Sequence, residues 1–154
     1  MMGGGGGGGD GMQQLQQEIE QLEEEMEAID AEVERLQEKK SDIDDAIEAI
    51  NVLESGSTVQ VPIGGDAYVR ATVDDIDEIV VSLGGGYAAE RDQDGAVDTL
   101  ETKQETLDDH IDGLQEDRIE VEGEMSELEE QAQQMQQQQM QQMMQQQEEQ
   151  QSDE

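Results

Sequence analysis

Residues 12–50 read MQQLQQEIEQLEEEMEAIDAEVERLQEKKSDIDDAIEAI. Met12, Leu15, Ile19, Leu22, Met26, Ile29, Val33, Leu36, Ile43, Ile47 and Ile50 recur at alternating steps of three and four, interrupted only by Lys40. A repeat of about 3.5 residues keeps one narrow apolar stripe turned toward a partner helix, so the stretch predicts a coiled-coil helix over 12–54. Glu, Gln and Asp fill almost all the flanking positions. The helix should stop at Glu54-Ser55-Gly56-Ser57, where Gly56 can adopt the left-handed conformation that closes a helix.

The same period returns downstream. Val97, Leu100, Gln104, Leu107, Ile111, Leu114, Arg118, Val121, Met125, Leu128, Ala132 and Met135 form a second seam. It predicts a helix over 94–135 with Asp94 as its N-cap. Two matched helices joined by a short segment pack as an antiparallel hairpin. Setting Ile50 opposite Val97 places Ile47 opposite Leu100, Lys40 opposite Leu107, Arg118 opposite Ile29 and Met12 opposite Met135. Both seams then end together. At about 1.5 Å per residue such an arm is on the order of 60 Å long. Lys40 and Arg118 sit on the seam itself, where their stems can lie along it and their charges reach neighbouring carboxylates. Register control is the role expected of them.

Between the helices, residues 57–91 change period. Val59, Val61 and Ile63 alternate with Thr58, Gln60 and Pro62, and Ala67, Val69, Ala71 and Val73 follow a Gly64-Gly65-Asp66 turn. Ile79 to Leu83 and Tyr87 to Arg91 flank Gly84-Gly85-Gly86. These are two β-hairpins, with Pro62 at an edge or a bulge. The fold class is therefore α+β: a long antiparallel coiled coil with two small hairpins at its base. The sequence has no Phe and no Trp, so two such hairpins bury too little area to stand alone and leave strand edges open. The economical cover is the same segment of other subunits. The expected oligomer interface is Val59, Val61, Ile63, Val69, Val73, Ile79, Val81, Leu83 and Tyr87.

The charge is −35, from 42 acidic and 7 basic residues. Such a chain repels nucleic acid and anionic membranes. The acid is spread along the whole chain, which favours a solvating surface adapted to molar salt, where the Debye length is about 3 Å, and hence a halophilic source. Cysteine is absent, excluding disulfide and thiolate chemistry. No apolar run reaches about 20 residues, and Met1–Gly11 has no signal-peptide pattern, so the expected location is cytoplasmic. No catalytic constellation emerges. His110 falls at an outer helix position, Asp74, Asp75, Asp77 and Glu78 lack the glycine and spacing of a cation loop, and Gly84–Gly86 is not followed by a phosphate-binding Lys. Neither a metal nor a cofactor is expected.

The ends differ in kind. Residues 1–11 carry glycine from Gly3 to Gly9 and are expected to be a disordered tail. Residues 136–154 form a Gln/Met-rich acidic tail in which the seam lapses, since Gln139 and Gln142 take its places.

The order helix, two hairpins, helix resembles the alpha subunit of the prefoldin family. Val59-Gln60-Val61-Pro62-Ile63-Gly64, Ala67-Tyr68-Val69-Arg70-Ala71 and Val80-Val81-Ser82-Leu83-Gly84-Gly85-Gly86-Tyr87-Ala88-Ala89-Glu90 carry the likeness, over roughly residues 12–135. The resemblance implies a subunit of an ATP-independent chaperone hexamer of two alpha and four beta subunits. Its hairpins would build a double β-barrel body. Its coiled-coil tips would hold unfolded clients and pass them to a group II chaperonin. A client site needs adaptable apolar surface, and methionine supplies it. The candidate client-binding residues are Met12, Leu15, Ile19, Met135, Met140, Met143 and Met144. Two other readings stay open: an acidic coiled-coil tether, and a holdase for basic proteins.

Overall fold

The computed structural model describes residues 7–152. The elements are helix α1 (Gly7–Val52), strands β1 (Thr58–Gly64), β2 (Ala67–Thr72), β3 (Ile79–Gly84) and β4 (Tyr87–Arg91), and helix α2 (Gln93–Ser152). They fall into two units. One comprises Glu34–Asp112, with both hairpins. The other brings the residues up to Val33 together with those from Gly113 on. Every residue of the two expected seams, Lys40, Gln104 and Arg118 included, is buried or half-buried.

In the hairpin-bearing unit the core lies where the helices meet the second hairpin. Ile50, Val81, Ala96 and Leu100 are buried there, with Ile43, Ala46, Ile47, Ile79 and Val97 packed around them. Ala96 is fully buried, and its small side chain lets the α2 backbone come close to its neighbours in this cluster. The two sheets are separate: β1 pairs antiparallel with β2, and β3 with β4. Both turn on residues with positive φ, Gly65 (57°) and Asp66 (61°) in the first and Gly85 (61°) and Gly86 (81°) in the second. Positive φ at both central residues is the type I′ turn, whose twist matches that of the strands. In the first hairpin Pro62, expected at an edge or a bulge, pairs with Tyr68, and the register shifts between Pro62 and Gly64, so the bulge falls next to it at Ile63.

The ends of the helices differ from expectation. The N-cap of α2 is Asp92 and not Asp94. Its carboxylate accepts from the Gly95 amide at 2.7 Å, and its carbonyl accepts from Ala96 N–H at 2.8 Å. Gln93 then reaches across to α1, where its side-chain amide donates to the carbonyls of Ile50 (2.6 Å) and Leu53 (3.2 Å). Those carbonyls belong to the helix end, which has no further turn to satisfy them.

Helix α1 begins at Gly7 rather than at Met12, so residues 7–11 of the expected tail are helical. Residues 1–6 lie outside the described residues. Extending an existing helix avoids the unfavourable nucleation step, which allows even glycine to be added. Gly11 also lies at a close approach, since a Cβ there would come within 3.0 Å of Met135 Cε. Helix α2 does not stop at Met135 but runs on to Ser152. Gln, Glu and Met are good helix formers, so this helix outlasts its seam. Residues 153–154 are outside the described range.

The Asp92 cap leads to a prediction whose sign depends on background. A Cβ on Gly95 would lie 2.6 Å from Asp92 Oδ1. Gly95→Ala should therefore lower the urea midpoint, as should Asp92→Ala, by about 1 kcal/mol for the lost cap. With Asp92→Ala already made, Gly95→Ala should be stabilising, by up to about 1 kcal/mol of helix propensity. A double-mutant cycle by urea unfolding in molar salt checks the reversal.

Candidate functional site

Among the described residues, three surfaces present apolar side chains to other molecules. The first is the apolar face of hairpin β1–β2. Val59 pairs with Ala71 and Val61 with Val69, so these side chains share one face. Val61, Ile63 and Val69 on it are 43%, 65% and 48% exposed, while Val59 and Val73 are half-buried. Backbone bonds tie the hairpin's root to the loop after α1, with Val73 N–H donating to Ser57 O (2.8 Å) and Gly56 N–H to Val73 O (2.7 Å). The second hairpin divides differently. Val81 is buried and Ile79 packs beside it in the chain's own core, so these two expected interface residues are taken up internally. Leu83 and Tyr87, nearer the turn, remain exposed. Alternation along the strand identifies the apolar face but not what covers it.

A second surface is a groove of about 720 Å³ beside β3, lined by Ile43, Leu83, Leu107, Thr99, Thr102 and Thr106 with Lys39, Asp42 and Lys103. The three threonine hydroxyls donate to helix carbonyls, of Gly95 (2.8 Å), Asp98 (3.0 Å) and Thr102 (3.1 Å). Their methyl groups are left for the groove. This surface lies outside the sites expected from the sequence. Its signal was the spacing of Thr99, Thr102 and Thr106, a second stripe beside the seam.

The third surface is in the other unit. Met12, Leu15, Ile19 and Met135 are half-buried where α1 and α2 segments meet. Met140, Met143 and Met144 are 69%, 68% and 69% exposed on the stretch of α2 beyond. Their spacing of three and four puts them on one helical face. The structure thus separates the expected client residues into four that help hold the helix pair and three that point into solvent.

The seam cations are held as their position suggests. Lys40 forms an ion pair with Asp108, and Arg118 donates to Asp30 Oδ1 at 2.8 Å and to Glu122 Oε1 at 3.3 Å. The hydrogen bond from Arg118 to Asp30, with the charge of that carboxylate, raises the guanidinium pKa above its ordinary value. Gln104 adds a further contact, donating to Asp44 Oδ1 at 2.5 Å and to the Lys40 carbonyl at 3.2 Å.

The acidic stretch at 74–78 is a turn. Asp75 Oδ1 accepts from Asp77 N–H (3.0 Å), and Ser55 Oγ accepts from Ile76 N–H (3.0 Å). Among the described residues there is no cluster of His, Cys, Asp and Glu able to hold a metal ion, and no helix long and apolar enough to cross a membrane.

Residues 15–150 match the family model described as prefoldin subunit. A prefoldin subunit alpha of Haloarcula marismortui is 76% identical over 74% of each chain. That of Halorubrum lacusprofundi is 58% identical over 75% of this chain and 74% of its own. A more distant one, from Methanosarcina mazei, is 31% identical over 78% of this chain and 84% of its own. The cryo-EM structure of filamentous PFD from Methanocaldococcus jannaschii superposes with a TM-score of 0.51 at 25% identity, covering 78% of this chain and 96% of that one.

Lys40 provides a test of the seam. Its ion pair with Asp108 is partly exposed and contributes at most about 1 kcal/mol. Lys40→Leu exchanges that for apolar burial at a seam position. The urea midpoint should rise, and a fall would show that the cation contributes more than the seam it interrupts.

Proposed function

The chain belongs to the prefoldin family of chaperones, among its alpha subunits, and from that premise we propose how it works. It holds non-native polypeptides, without nucleotide, at the Met12–Met135 end of its helix pair and along the α2 extension. It does so within a cytoplasmic complex of two alpha and four beta subunits and hands its clients to a group II chaperonin. The observation that carries this reading is the uncovered face of Met140, Met143 and Met144. Thioether side chains are flexible and polarisable, so one such face accommodates many client shapes. Fraying of the adjoining helix end would add Met12, Leu15, Ile19 and Met135 to it.

Assembly through the hairpins is supported by their energetics. An isolated two-stranded hairpin is marginal in water, and the β1–β2 face leaves Val61, Ile63 and Val69 uncovered. In the proposed interface Val59, Val61, Ile63, Val69, Val73, Leu83 and Tyr87 meet neighbouring subunits, while Ile79 and Val81 support the hairpin from within. Apolar contacts suit molar salt, which strengthens apolar burial and screens the repulsion between acidic subunits. The haloarchaeal relatives fit that setting. The family match does not favour a bare tether or a holdase for basic proteins.

Two experiments test the reading. Light scattering of an unfolding client in molar salt should show strong suppression of aggregation by the assembled complex. Suppression should fall several-fold when the chain ends at Ala132, with the mass of the complex otherwise unchanged; full activity of the truncated form contradicts client holding at this end. Ile63→Asp combined with Val69→Asp should shift the native mass to smaller species while the helical circular dichroism is kept. An unchanged mass would remove this hairpin face from the interface.

A further inference from the structure

The protein has nine methionines and no cysteine, so the thioether is its only oxidisable sulfur. Met1 and Met2 lie outside the described residues. Of the others, Met12, Met26, Met125 and Met135 are half-buried in the seams. Met140, Met143 and Met144 are about two-thirds exposed. Apart from those three, residues 136–152 consist entirely of Gln, Glu and Ser. The only apolar side chains of this extension are therefore three solvent-facing thioethers.

We propose that Met140, Met143 and Met144 are a modification site, at which oxidation by a peroxide switches the adhesive face of α2 off and reduction restores it. The chemistry balances without any further group. The thioether Sδ attacks one peroxide oxygen, an S–O bond forms and the O–O bond breaks. Sulfur gives up two electrons, and the departing hydroxide takes the proton and leaves as water. A thiol-dependent methionine sulfoxide reductase returns the oxygen as water and converts two thiols to a disulfide. Each sulfoxide turns a flexible apolar side chain into a polar one. Three of them leave the extension with polar side chains only. The helix itself persists, because its backbone bonds do not involve these side chains, and the seam methionines are shielded by their partners.

This inference rests on the reading of the α2 extension as a client surface, and the test separates the two. The assembled complex is treated with limiting hydrogen peroxide in molar salt. Peptide mapping by mass spectrometry follows oxygen uptake at each methionine, and light scattering follows client aggregation. Three chains are compared: the unmodified one, one carrying M140L, M143L and M144L, and one carrying M140Q, M143Q and M144Q. Oxygen should appear at 140, 143 and 144 several-fold faster than at 12, 26, 125 and 135. Suppression by the unmodified chain should fall to the level of the Gln variant and return with a sulfoxide reductase and dithiothreitol. The Leu variant, whatever suppression it starts from, should show no change across the peroxide step. Uniform oxidation of all seven methionines, undiminished suppression by the oxidised chain, or peroxide sensitivity of the Leu variant would each overturn the switch. Full suppression by the Gln variant without peroxide would instead overturn the client reading on which the switch rests.

Discussion

A narrow apolar seam has to hold two helices together in a chain with a net charge of −35. The carboxylates on either side of it repel, so the pairing depends on salt to screen them and on the seam residues to supply cohesion. A few polar groups also reach across from one helix to the other. Lys40 meets Asp108, Gln104 meets Asp44, and in the other unit Arg118 meets Asp30. These contacts share one helix-to-helix offset, and the approach of Gly11 to Met135 is consistent with it. A slip of one heptad would keep apolar residues facing one another but would part each of these pairs. Cohesion is thus apolar and spread out, while specificity is polar and local.

That register decides what becomes of the hairpins. It brings Ile50 and Leu100 together with Ala96, and the resulting hollow takes Val81. The second hairpin is therefore anchored by a side chain, whereas the first is attached mainly by backbone bonds at its root. The first leaves its apolar face for other chains. At the opposite extreme of the sequence α2 continues after its seam has ended, and the three methionines remain uncovered. Both surfaces proposed to meet other proteins arise where the helix pair no longer supplies partners.

Much of this was legible in the residues. The step of three and four marked every seam position from Met12 to Met135, because a two-helix seam has a single period that tertiary context does not alter. Gly64-Gly65-Asp66 and Gly84-Gly85-Gly86 announced the turns, since positive φ at consecutive positions needs such residues. The cap of α2 was less legible. Asp92 and Asp94 are equivalent in composition, and the choice follows from Gly95, whose missing Cβ admits the Asp92 carboxylate. The bridge from Gln93 to α1 joins residues distant in sequence and has no local signature. Low complexity after Met135 suggested a tail, but Gln and Glu are also good helix formers, and helix propensity prevailed. Val81 and Ile79 were recognised as apolar-face residues. Their assignment to the chain's own core needed the helices in place.

The most direct test of this account is the proximity of residues 12 and 135 within a single chain. The sequence has no cysteine, so Met12→Cys with Met135→Cys introduces the only possible disulfide. Oxidation under native conditions in molar salt should give a crosslinked monomer on a non-reducing gel, with helicity kept. Crosslinked dimers in place of crosslinked monomers would contradict the antiparallel pairing, and with it the register from which both proposed surfaces follow.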